Sequence, residues 1–207
     1  GISATHHTAG RVDANGNQIR RMICWNDQTL AHYHAQGLDR LGGSDAVKKL
    51  IGGPWAIRYS LSHLVKDEST LSAGEWKRTA KMLPHGPAAG GYLTGKFDVT
   101  SVSSAASTGI MDFRSNQWAK GMLGSIASAE YRELAWNSLP RIIQDMNEPI
   151  GISNINTPRS RSFFTPATGV GLPHDFGDVR AVPAPHGQFP TCSRCAQSAP
   201  YKERNAE

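Results

Sequence analysis

The sequence predicts a mixed α/β fold in which helices dominate, followed by an irregular tail. Three observations carry that prediction. Apolar residues recur at helical spacing in several windows between residues 29 and 126. Short β-favouring runs bounded by turn residues lie between those windows. Residues 154–207 hold 7 of the 12 Pro and 2 of the 3 Cys with almost no periodicity of either kind, so they read as loop or disorder.

Taken in order, residues 1–7 and 10–13 read as short strands near an Asn15-Gly16 turn, and residues 22–25 as a buried strand, so a small sheet comes first. Leu30, Tyr33, Leu38 and Leu41 then mark a helix over 29–41, with Asp27 as its N-cap and Gly42-Gly43 as its stop. Pro54 suits the first turn of a second helix, whose face is Ile57, Leu61, Leu64 and Val65. Ser72, with Glu75 three residues on, is a capping box that opens a third. Residues 81–83 read as a strand, 87–93 as a short helix and 109–112 as a strand. Trp118, Met122, Leu123 and Ile126 form a further helical face.

Composition narrows the function. The 207 residues carry 22 Lys+Arg against 17 Asp+Glu. Of these, 16 basic and 13 acidic residues lie up to residue 153, and 6 and 4 beyond it. Basicity is therefore spread along the chain, which argues against a nucleic-acid partner. Apolar runs of a few residues fall far short of the ~20 that a membrane helix needs. Pro and Gly are too frequent for a coiled coil and lack the period of collagen. Three Cys cannot build a disulfide framework, which suggests a reduced, cytoplasmic origin. The chain opens on Gly1 with no charged leader, and the expectation is that it starts inside a larger gene product.

Candidate chemistry outside the orderly part is thin. Cys192-Ser193-Arg194-Cys195 could be half of a zinc site with His174 and His186, but a lone C-x-x-C is weak and those spacings fit no familiar finger, so no metal is assigned. His32 and His34, two apart on a helix, point to different faces. Ser101, Ser103, Ser104, Ser107 and Thr108 have no local His and carboxylate to activate them, and close packing explains them better.

Three stretches say more than their periodicity. They are Gly1-Ile2-Ser3-Ala4-Thr5-His6-His7, then Ile23-Cys24-Trp25-Asn26-Asp27-Gln28, and Tyr92-Leu93-Thr94-Gly95-Lys96-Phe97 continuing through Ser103, Ala105-Ala106 and Thr108 to Asp112. In that order and spacing the chain resembles the FGGY family of carbohydrate kinases, most closely its xylulokinase-like members, from residue 1 to about Pro149-Ile150-Gly151. It departs from the family where Ser60 and His63 stand near an expected Lys and Trp, and where Gly86, Gly90 and Gly91 replace bulkier residues.

The resemblance implies residues 1–153 as a partial ribonuclease-H-like (actin-like ATPase) domain of a sugar kinase, the sugar-binding one, and 154–207 as a tail foreign to the family. It implies phosphoryl transfer from ATP, with Mg2+, to a sugar hydroxyl, a pentulose such as xylulose being the expected substrate. His7 matches the family's substrate-contacting histidine, with His6 beside it; Trp25, Asn26, Asp27 and Arg58 complete the expected sugar contacts. A neutral imidazole suits vicinal hydroxyls, Trp25 offers a flat apolar face, and the Asp27 carboxylate could take two hydroxyls if helix capping does not claim its oxygens.

The family's phosphate-binding hairpin and catalytic Asp have no counterpart in these residues, so neither ATP nor Mg2+ is expected to bind this chain alone, and no kinase activity is expected of it. Other expectations are a non-catalytic sugar-binding or interaction module as the alternative function, and a tail produced by a frame shift, unspliced sequence or fusion. Self-association through an exposed sheet edge is a further one.

Overall fold

The computed structural model describes residues 4, 6–145 and 148. The expected boundary at 153/154, the tail, and Cys192, Cys195, His174 and His186 lie outside them. The first strand, β1 (Gly10–Val12), is fully buried, and its turn is fixed by Asp13, whose carboxylate accepts the backbone N–H groups of Asn15 and Asn17. Gly16 supplies the positive φ of 72° that the reversal needs. Residues 22–25 are not a strand. Met22 packs against Val12, Leu83 and Ala88, while Cys24 and Trp25 are exposed, so one side chain satisfies the apolar demand of the run.

Helix α1 (Leu30–Arg40) follows, and Gly42 and Gly43, both at positive φ, end it and turn directly into α2 (Ser44–Ile51). The second long helix, α3 (Ser60–Thr70), starts six residues after Pro54, so Ile57 falls outside it and is 47% exposed while Leu61, Leu64 and Val65 are buried as expected. The capping box at Ser72 and Glu75 forms and opens α4 (Ala73–Arg78). Strand β2 (Lys81–Leu83) then pairs antiparallel with β1, Gly10 opposite Leu83.

After α5 (His85–Thr94) come β3 (Val99–Ser101), the short α6 (Val102–Ala106), and a tight hairpin of β4 (Met111–Asp112) and β5 (Gln117–Trp118). The expected helical face around residue 122 is a 3-10 helix, Lys120–Ser125, a tighter form suited to six residues that include Gly121 and Gly124. Helix α7 (Ala129–Ser138) and β6 (Arg141–Ile143) complete the described chain, and β6 lies parallel to β3.

The largest apolar cluster joins α2, α3, the 3-10 helix and α7, while Val12, Leu83 and Ala88 form a second and Ala105, Met111 and Ile142 a third. Val47 and Ile51 of α2, Leu61, Leu64 and Val65 of α3, Met122 and Leu123 of the 3-10 helix, and Ala135 of α7 share the largest with Trp55 and Trp76. At its polar margin Asp67, fully buried, accepts from Arg11 Nε at 2.7 Å and from Arg20 Nη2 at 2.9 Å. The Arg11 guanidinium also lies 3.9 Å from the centre of the Trp76 ring, which stacks on Tyr131 with centroids 4.5 Å apart. A carboxylate shared by two guanidinium groups avoids the cost of burying an unpaired charge.

Candidate functional site

Two of the expected sugar-facing residues, His7 and Asp27, are bonded to α3. Of the strand expected over residues 1–7, residues 1–3 and 5 lie outside the described residues; Ala4, His6 and His7 are not in a strand, and His7 sits at a positive φ of 66°. A left-handed residue other than Gly costs about 1–2 kcal/mol, so the surroundings must hold it. They do so from two sides. Ser107, in the turn after α6, accepts His7 Nδ1–H at its carbonyl, 3.1 Å away. Tyr59, just before α3, stacks on the imidazole with centroids 4.8 Å apart and planes 14° from parallel.

Because a carbonyl can only accept, the Nδ1 of His7 carries the proton and Nε2 is left with its lone pair. Partial burial lowers the His7 pKa; the Ser107 carbonyl works against this, and the charges of Arg58 and His6 add to it. The ring is therefore neutral at pH 7. His6, exposed, lies 6.0 Å from it between centroids, and the exposed Arg58 stands over Tyr59 at 5.8 Å. His6, His7 and Arg58 thus form one group.

Trp25, Asn26 and Asp27 form a second, on the loop before α1. Trp25 is 51% exposed and Asn26 is exposed, so neither is core. Asp27 is committed instead: one carboxylate oxygen accepts both the backbone N–H and the hydroxyl of Thr29, and the other pairs with Lys66 of α3. Burial alone would raise its pKa, but the Lys66 and Thr29 bonds outweigh that and hold it down at about 2. Of about four acceptor sites on a carboxylate, three are filled. Asp27 is not the N-cap of α1, which is Thr29 without a side-chain cap bond, but its bonds to Thr29 and Lys66 still leave room for one hydroxyl, not two.

The sequence reading did not single out Tyr59 or Lys66, and it took His63 as a departure from the family and Ser107 as a packing residue. His63 is fully buried on α3, with Nε2 3.1 Å from the His7 carbonyl, and the Ser60 hydroxyl donates to the Thr8 carbonyl at 2.6 Å. The available signal was a lone His flanked by Leu61, Leu64 and Val65, where an apolar helix face leaves few reasons for an imidazole. An open hollow of about 350 Å³ between α1 and α3 holds none of the expected residues. Its Arg40 and Glu68 are paired with each other, and its Gln36 with His32.

The donor set for Mg2+ and ATP phosphates is a separate question. Among the described residues no three His, Cys, Asp or Glu side chains cluster so as to hold a metal ion. Asp27, Asp67 and Glu68, the acids on or against α3, are each paired with a cation. These residues do not fit a nucleotide-bound magnesium, and no step is routed through one. Among the described residues no helix is long and apolar enough to cross a membrane.

No protein-family model and no curated protein matches the sequence. Solved structures do. The chain is similar to a xyloylose kinase from Brucella ovis, at 21% identity and a TM-score of 0.59 over 72% of this chain and 29% of that one. It is similar to the xylulose kinase from Bifidobacterium adolescentis, at 18% identity and 0.57, over 67% and 34% of the two chains. It is also similar to Plasmodium falciparum glycerol kinase, solved with ADP, at 16% identity and 0.62, over 76% and 30%. The chain spans well under half the length of each. These are structural matches to FGGY-type sugar kinases, as the sequence resemblance implies, and the chain carries the mixed α/β fold of part of an actin-like sugar-kinase domain.

Proposed function

We propose that this chain is part of an ATP-dependent carbohydrate kinase and supplies residues that face the sugar, a pentulose such as xylulose being the substrate. The observation that carries the proposal is His7, which is held against its backbone preference with a neutral ring and the Nε2 lone pair left over. Such a group accepts one hydroxyl hydrogen. Arg58 and His6 stand beside it as donors, and the exposed Trp25 offers a face to the C–H side of a sugar. Asn26 and the remaining acceptor site of Asp27 complete the reading, and a cytoplasmic location belongs to it.

The phosphate-binding and catalytic groups would come from elsewhere, so the chain alone is expected to bind sugar without turning over ATP. Titration calorimetry of the 207-residue chain with D-xylulose, and with gluconate and glycerol for comparison, tests this. D-Xylulose is expected to bind, and His7→Ala to weaken it roughly tenfold, the equivalent of one hydrogen bond. Absence of binding by all three, or binding indifferent to His7→Ala, overturns the proposal.

A further inference from the structure

We infer that His63 is a positioning residue for His7, setting the tautomer that the sugar would meet; the sugar part of this inference rests on the function proposed above. A buried imidazole needs a reason. His63 is fully buried; among the described residues its Nδ1 has no hydrogen-bond partner, and its one bond is from Nε2–H to the His7 carbonyl. An apolar side chain there would remove the orphaned Nδ1 but would also leave the His7 carbonyl unpaired. One turn earlier on the same helix face, Ser60 holds the next carbonyl, that of Thr8.

Two successive peptide groups are thus fixed from α3. With its carbonyl fixed, the left-handed His7 directs its ring onto Tyr59 and its Nδ1–H onto Ser107, 100 residues away in sequence. In water a neutral histidine side chain favours the opposite tautomer, with the proton on Nε2, so the arrangement inverts the intrinsic preference. Substrate specificity follows from that inversion: Nε2 takes a hydroxyl that donates and does not itself donate.

The test reads the His7 ring directly. Side-chain 15N spectra of the full chain are recorded for the wild type, His63→Phe and His63→Gln, with D-xylulose affinity measured on each. The wild type is expected to show Nδ1–H at His7. His63→Phe is expected to remain folded by near-UV circular dichroism, to shift His7 toward Nε2–H, and to lose affinity roughly tenfold. His63→Gln, which keeps an N–H donor, is expected to restore both. Retention of Nδ1–H in His63→Phe overturns the inference, as does its loss in a folded His63→Gln. Should no sugar bind the wild type while the tautomer still follows residue 63, the positioning role stands and the proposed function fails.

Discussion

His63 ties the interior to acid as well as to the site. Burial is the main cause that lowers its pKa to about 4; Asp67, Asp27 and the His7 carbonyl oppose this, and Arg20 adds to it. Unfolded, the same imidazole titrates near 6.5. On acidification the unfolded chain therefore binds the proton first, so the stabilisation is full above about pH 6.5 and is lost as pH falls toward 4, up to about 3 kcal/mol. The Asp27 contribution, with a pKa held at about 2, is lost only below its ordinary value of 3.8. The urea midpoint is expected to fall between pH 6.5 and 4, and His63→Phe to flatten that slope. Partial burial lowers His7 and His85 in the same direction, so some slope should remain. A midpoint indifferent to pH across that window would contradict the burial of a neutral His63.

Trp55 shows what binds the elements to one another. A Cβ built at Gly37 of α1 would come within 2.6 Å of the Trp55 indole, and one at Gly109 within 2.9 Å. The ring also meets His34 edge-on at 4.7 Å. Gly37→Ala gains about 1 kcal/mol in helix propensity but overpacks a ring that is fenced in, at a cost of about 1–3 kcal/mol. A net loss of stability is expected, and urea unfolding of the variant checks it. Elements of this kind were unevenly legible in the sequence. The capping box, the double-Gly stop and β2 could be read because each depends on local chemistry. Strands β3 and β6 were not read, although β2 is no longer than either, because their parallel pairing joins Val99 to Arg141 across a long connection that no local spacing records. Helices α2 and α7 were missed although Val47, Leu50 and Ile51 in the first and Tyr131, Leu134 and Ala135 in the second stand at helical spacing, because eight to ten residues give only about two to three turns of pattern. In the site, His6, His7 and Arg58 could be read together only through the family resemblance. The carbonyl contacts of His63 and Ser107 depend on tertiary approach that no spacing records.

For the whole molecule, the described sheets are each two strands wide: β1 with β2, β3 with β6, and β4 with β5. The outer edge of β1 is met by Gln18 and Ile19, whereas β3 and β6 pair with no third strand among the described residues, and a two-stranded parallel pair is an unusual isolated unit. We propose that copies of the chain associate through such an edge. Size exclusion with light scattering is expected to give a mass that rises with concentration, and a constant monomer mass would rule this out. Helix α3 has the opposite character. Ser60, His63 and Lys66 reach two segments, the successive carbonyls of Thr8 and His7 and the carboxylate of Asp27, from one rod, and six residues at 1.5 Å each set the first and last grips about 9 Å apart along its axis. The helix is thus a ruler whose graduations are residues. Single substitutions along it can retune one contact at a time. An inserted or deleted residue would rotate every later graduation by about 100°, so this part of the gene tolerates replacement far better than a change in length.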